Sequence, residues 1–192
     1  MVAKTGEIAT FTVTVTNASG RALSGIFVKG QTTLGSIEEN VATDVNGVAI
    51  FKLLAGDDMG EAIVYFQLPL HERQQAPRSV MIGADKTKLF FPPALKSPVP
   101  ADVVLFGESI ELSAVMQDIN ENLGIGMPVR WSSTPEMPAL DIRPREGVTD
   151  KDGRIQVTVK SPTGGTFEVG VTSVHNNTTA LFASITFGPE SP

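Results

Sequence analysis

Cysteine is absent from the 192-residue sequence, and its absence excludes disulfides, zinc–thiolate sites, iron–sulfur clusters and thiol nucleophiles. The inter-sheet disulfide of antibody-type domains is excluded with them. Positive charge is also short. Against 21 Asp and Glu stand 15 Lys and Arg, a formal net charge of −6, so no extended basic surface for nucleic acid or anionic lipid is expected. No apolar run approaches the ~18 residues of a membrane span, and direct membrane insertion is not expected. The opening residues Met1-Val2-Ala3-Lys4-Thr5-Gly6 do not form a signal peptide. Because an internal repeat begins within a few residues of Met1, the expectation is a piece cut from a longer exported protein.

What is present has the composition of a globular chain, 41% hydrophobic and 19% charged, with a length that fits one large domain or two small ones. Comparing the sequence with itself decides for two. Gly6-Glu7, Phe11, Val13, Asn17, Gly25 and Val28 match Gly107-Glu108, Leu112, Ala114, Asp118, Gly126 and Val129 at an offset of 101. Thr43-Asp44-Val45-Asn46-Gly47 matches Thr149-Asp150-Lys151-Asp152-Gly153 at 106, and Ala62, Val64 and Phe66 match Phe167, Val169 and Val171 at 105. The offset grows because the second copy holds extra residues around Pro135-Glu136-Met137-Pro138. Charge is shared unequally, since the whole −6 falls in residues 102–192.

Within each copy the apolar residues alternate at a period of two, the signature of half-buried strands. Phe11, Val13 and Val15 alternate with Thr12, Thr14 and Thr16; Ile110, Leu112, Ala114 and Met116 do the same in the second copy. After each Asp-x-(Asn/Asp)-Gly turn follows another such strand, Ala49, Phe51, Leu53 or Ile155, Val157, Val159. No segment shows a helical period. The expected fold class is all-β, two tandem β-sandwiches of about 90 to 100 residues each. Between them Phe91-Pro92-Pro93-Ala94-Leu95-Lys96-Ser97-Pro98-Val99-Pro100 cannot sustain a central strand and favours an extended, semi-rigid connector. The expected domains are therefore 1–91 and 102–192, with a proline-rich linker over 92–101.

The order of these pieces resembles the group 1 bacterial immunoglobulin-like (Big-1) repeats of the invasin and intimin adhesins. The residues that carry the resemblance are Gly25-Ile26-Phe27-Val28 with Thr43-Asp44-Val45-Asn46-Gly47, and Gly126-Met127-Pro128-Val129 with Thr149-Asp150-Lys151-Asp152-Gly153. The resemblance covers both halves and implies immunoglobulin-like sandwiches in a tandem spacer at the surface of a Gram-negative bacterium. The lectin-like tip domain of that family has no counterpart here. The first copy departs from the pattern in the long stretch Pro69 to Arg78, where the second has the short Asn176-Asn177 turn.

No residue set with catalytic grammar is found, and no enzyme activity is expected. His71 and His175 fall in similar loops of separate copies, too far apart to share a site. No Gly-x-Ser-x-Gly elbow, His-Glu-x-x-His pair or phosphate-cradling glycine loop occurs. Asp44-x-Asn46-Gly47, Asp150-x-Asp152-Gly153 and Asp118-x-Asn120-x-Asn122 have oxygen donors at the spacing of calcium loops, yet after Asp118 the sixth and twelfth positions are Leu123 and Val129 instead of glycine and glutamate. Hairpin chemistry is the expected role of these turns, with no metal and no cofactor. Asp57-Asp58 and Glu38-Glu39 are sequence neighbours, which on strands point to opposite faces. Trp131 has the inward parity of Met127 and Val129 and is expected in the core. The sequons at Asn17, Asn176 and Asn177 are expected to be bare turn residues in a bacterial protein.

One surface differs between the copies. Where the second copy turns Arg154, Gln156 and Thr158 outward, the first has Val48, Ile50 and Lys52, and Ile63 and Tyr65 stand where the second has Glu168 and Gly170. Apolar side chains on both faces of a strand call for a cover. Val48, Ile50, Ile63 and Tyr65, with His71, Glu72 and Arg73 of the long loop, form the candidate partner surface. The leading expectation is a non-enzymatic spacer or presentation module, extracellular or on the cell surface, whose partners are neighbouring domains of a longer chain. The alternatives are a binding module that grips a host or surface protein or a glycan through its loops, and an accessory domain of a secreted enzyme, toxin or phage tail protein.

Overall fold

The computed structural model describes residues 1–69, 77–100, 102–136, 140–182 and 184–189. The chain divides into two compact units, Met1–Gly83 and Ala84–Pro192. In the first, β1 (Ile8–Thr14), β2 (Phe27–Thr32), β3 (Ser36–Ile37), β4 (Asn40–Ala42), β5 (Val48–Leu54), β6 (Gly60–Gln67) and β7 (Arg78–Ile82) form two antiparallel sheets, ordered β1-β5-β3 and β4-β2-β6-β7. The second holds β8 (Val104–Leu105), β9 (Ser109–Val115), β10 (Pro128–Thr134), β11 (Asp141–Arg143), β12 (Glu146–Val148), β13 (Arg154–Lys160), β14 (Gly165–Ser173), β15 (Thr179–Leu181) and β16 (Ile185–Gly188). Its sheets are β11-β13-β9 and β12-β10-β14-β16-β8, with β15 also on β14.

The register repeats between units. Thr12 pairs with Ile50 as Ser113 pairs with Gln156, and Gly30 pairs with Phe66 as Trp131 pairs with Val171. Even the entry is shared: a short parallel pairing joins Val2 to Gly83 in one unit and β8 to β16 in the other. Alternation does the sorting, because side chains on successive residues leave opposite faces of a strand. Val13, Ala49, Phe51, Leu53, Val64 and Phe66 fill the first core; Leu112, Val129, Trp131, Val157, Phe167 and Val171 fill the second.

The boundary falls earlier than the proline run led one to expect. Leu89 and Phe91, read above as the end of the first domain, are buried in the second core, and residues 84–97 lie along the edge of β9. Phe90 and Gln117 exchange main-chain hydrogen bonds of 2.8 and 3.0 Å, and the Ser97 N–H donates to the Ser113 carbonyl at 2.8 Å. The Lys96 ammonium sits 5.2 Å from the Phe182 ring centroid and donates to the Leu181 carbonyl. Two side chains anchor the start of this strap: Asp118 accepts from the Asp85 N–H at 2.8 Å, and the Asn176 amide donates to the Leu89 carbonyl at 2.6 Å. The expected proline-rich connector over 92–101 is thereby corrected over its first part: the chain up to Ser97 belongs to an edge strap of the second unit. The prolines suit it, since an edge position can spare an N–H.

A fragment beginning at Asp102 lacks two core side chains, whereas one beginning at Ala84 keeps them. Deleting a buried Leu or Phe side chain costs about 2–5 kcal/mol, so residues 102–192 should melt far below residues 84–192, and Leu89→Ala should cost a few kcal/mol on the same scale. Fluorescence of Trp131, the only tryptophan, reports the transition; equal melting of the two fragments would show that the strap contributes nothing.

Candidate functional site

The acidic turns carry the ligand-like spacing of the sequence, and each is held by its own hairpin. Thr43 and Thr149 are buried, and each hydroxyl bridges two loops. Thr43 donates to the Leu23 carbonyl and accepts from the Ile26 N–H; Thr149 donates to the Gly124 carbonyl and accepts from the Met127 N–H. The next residue closes the hairpin. Asp44 Oδ1 accepts from the Asn46 and Val48 amides at 2.8 and 2.9 Å, and Asp150 Oδ1 from the Asp152 and Arg154 amides, both at 2.9 Å. Gly47 and Gly153 follow at φ 72° and 66°, and a Cβ there would stand 2.6 Å from the Val15 carbonyl oxygen or 2.9 Å from that of Met116. Hydrogen bonding by the Arg154 N–H is the main cause that holds the Asp150 carboxyl below the usual carboxylate range; Asp152 N–H bonding and the Arg154 and Lys151 charges add to it against a desolvation penalty.

Asp118 is the fully buried member of the set. Burial pushes its carboxyl up, but hydrogen bonds from the Asp85 N–H, the Asn122 N–H and amide group, and the Asn120 N–H outweigh it, so the net shift is downward. Its first-copy equivalent, Asn17, makes only the local turn, accepting from the Ser19 and Arg21 amides. Among the described residues no group of three or more His, Asp or Glu side chains converges as a metal site would require. His175 is exposed in the turn after β14, and His71, Glu72 and Arg73 lie outside the described residues. Trp131 is 2% exposed in the second core, 5.7 Å from the Phe182 ring.

The remaining candidate residues do not form one surface. Val48 and Ile50 lie on the outer face of β1-β5-β3, whereas Ile63 and Tyr65 lie on the outer face of β4-β2-β6-β7, the opposite sheet. The proposed grouping of Ile50 with Tyr65 is therefore corrected to two faces. On the first face the structure adds two residues that sequence reasoning passed over: Ile8, 55% exposed, is paired with Leu54, 42% exposed, beside Ile50 at 53%. Their parity was available, since Ile8 precedes Thr10 and Leu54 follows Lys52 by two. The corresponding face of the second unit presents Ser109, Glu111, Arg154, Gln156, Thr158 and Lys160.

Two antiparallel sheets facing each other across one core, entered by a short parallel strand, define an immunoglobulin-like β-sandwich, built here twice. Residues 106–188, within the second unit, match the family model described as bacterial Ig-like domain (group 1). None of the curated proteins matches the sequence. Among solved structures the chain is similar to InvD of Yersinia pseudotuberculosis, with 18% identity, a TM-score of 0.62, and coverage of 97% of this chain and 54% of that one. It is similar also to the adhesin InvE of the same organism, at 15%, 0.54, 98% and 56%, and to the Escherichia coli adhesin FdeC, at 17%, 0.54, 99% and 62%. The chain thus spans little more than half the length of these structures, and at such identities the likeness concerns the fold.

Two outcomes follow from the turn chemistry. Saturating calcium should leave the melting temperature of wild type unchanged, because a ligand bound to the native state must stabilise it, and Asp150→Ala should lower that temperature equally with and without calcium; a calcium-dependent rise of several degrees would refute the hairpin role. Asp118, its pKa depressed by folding, contributes stability above its unfolded value of ~3.9 and loses it as pH falls through the lower folded value. Asp118→Asn turns an NH₂ toward the Asp85 donor and should cost about 1–3 kcal/mol at pH 7. Acid titrations followed by Trp131 should show the variant lacking that portion of the acid-induced loss.

Proposed function

We propose that the chain is a non-enzymatic structural module of a bacterial surface adhesin of the invasin and intimin type, which spaces or presents a binding element at the cell exterior. The observation that carries this reading is one fold made twice, with the residues of chemical promise spent on holding it. Asp44, Asp118 and Asp150 each give Oδ1 to two amides of their own turn, Asp118 gives its other oxygen to the Asp85 N–H, and both buried threonine hydroxyls accept a loop amide. The family match over residues 106–188 and the adhesins InvE and FdeC among similar folds support the setting. Neighbouring domains of a longer chain are the partners this role requires, with no nucleic acid, bilayer or cofactor. A second reading, a binding module for a protein or glycan, is favoured by the apolar face at Ile8, Ile50 and Leu54, which the second unit does not share.

Domain replacement separates the two. In bacteria displaying the protein that carries this chain, residues 1–192 are deleted or replaced by an unrelated pair of immunoglobulin-like sandwiches of similar length. A spacer loses adhesion on deletion and regains it with the replacement. A binding module regains it only with the native sequence, and Ile50→Lys with Leu54→Lys then falls to the level of the deletion.

A further inference from the structure

The exposed edge of a sheet offers unpaired N–H and C=O groups to any extended chain, and proteins blunt it with charge, proline, bulges or a covering segment. The two units treat one and the same edge differently. In the second, β9 carries Glu111 and is lined by the strap, through Phe90 on Gln117, Lys96 on Ala114 and Ser97 on Ser113. In the first, β1 has β5 on one side, and among the described residues no strand or bridge lies along Ile8–Thr14 on the other. The Val15 N–H donates to Gly47 and the Ala55 N–H to the Glu7 carbonyl. Odd-numbered residues of β1 therefore face β5, and Ile8, Thr10, Thr12 and Thr14 direct their main-chain groups outward. The segment Ile8-Ala9-Thr10-Phe11-Thr12-Val13-Thr14 holds no charge, proline or glycine, and all but Ala9 are β-branched or aromatic.

A second strap does not suit this edge. The Leu89 side chain reaches within 3.1 Å of where a Cβ on Gly124 would stand, and the aligned residue in the first unit is Leu23, which brings its own side chain to that place. Asp118, which takes the Asp85 N–H, is aligned with Asn17, whose oxygen serves only its own turn. Among the described residues nothing lies along this edge, the glycine space and the carboxylate that receive the strap are replaced by Leu23 and Asn17, and the sequence of the edge is complementary to itself.

We propose that β1 pairs with β1 of a second copy of this chain, antiparallel about a two-fold axis at Phe11. In that register Thr10 meets Thr12 and Ile8 meets Thr14 of the other copy, each pair exchanging main-chain hydrogen bonds through the outward groups. The half-exposed Phe11 stands opposite its counterpart at a close, non-hydrogen-bonded site. No like charges meet across the pair, and the contact closes on itself as a two-fold dimer. A strand pair with one aromatic contact buries less than the ~1,200 Å² of a standard interface, so the association is weak and reversible.

Sedimentation velocity of the 192-residue chain from ~10 μM to ~1 mM tests it, the range where interfaces of that size assemble. Wild type should shift reversibly from monomer to dimer. Thr12→Pro removes one outward N–H where an edge tolerates proline, and should weaken the dimer by about tenfold or more. In this cysteine-free chain, Phe11→Cys should form a disulfide dimer under mild oxidation faster than Thr10→Cys or Thr12→Cys, which stand off the axis. The cysteine series decides the matter if circular dichroism shows that Thr12→Pro unfolds. A monomer throughout, a dimer indifferent to Thr12→Pro in a folded variant, or cross-linking without preference for position 11 would each overturn the proposal. So would saturable binding of a synthetic peptide of residues 84–97 in place of self-association, which would assign the edge to a strap after all.

Discussion

A sandwich depends first on filling the slab between its sheets, which lie ~10 Å apart and pack to the density of an organic crystal. The two units meet that constraint with different residues in the same places. Gly30 and Trp131 are equivalent, and so are Phe51 and Val157. In the first unit a Cβ on Gly30 would meet the Phe51 ring at 2.8 Å, and the Phe51 and Phe66 rings lie 4.8 Å apart at a tilt of 49°. In the second, the large side chain moves to the other sheet as Trp131, and Val157 and Val171 make room. The large side chain sits on a different sheet in each core and the residues facing it change with it, a kind of exchange that cores tolerate when the pattern is kept.

The polar parts obey a stricter rule, because a buried carbonyl or amide without a partner costs about 1–3 kcal/mol wherever it occurs. Thr43 and Thr149 bridge loops that would otherwise leave such groups unpaired, and both copies keep the residue type unchanged. Asp44 and Asp150 are likewise retained. Asn17 and Asp118 show what one atom does when the surroundings differ. Both accept two turn amides, but a strand of foreign backbone arrives beside Asp118, and the second carboxylate oxygen can receive it where an amide nitrogen could not.

This division explains what the sequence made legible. Alternation at a period of two reports the face of each residue, so β1, β5, β9 and β13 and the inward Trp131 were readable, and turn residues marked where strands stop. Alternation does not report which strands are neighbours. Ile50 and Tyr65 were therefore correctly turned outward and wrongly joined, since one sits on each sheet. The proline run was read for what it prevents, a central strand; nothing in it says which edge it will lie along. Leu89 and Phe91 looked like the close of one domain because the core that they join is built from residues further along the chain.

The strap also shows where such a module ends. The family pattern spans 106–188, beginning after the segment that supplies Leu89 and Phe91. A unit cut to that pattern keeps Gly124, whose missing side chain is the space for Leu89, and Asp118, whose second oxygen is the seat of the Asp85 amide, while losing what fills them. The first unit has Leu23 at the equivalent position, packed against its own core. The residue opposite the strap, glycine in the second unit and leucine at the equivalent place in the first, is where the two units of this chain differ.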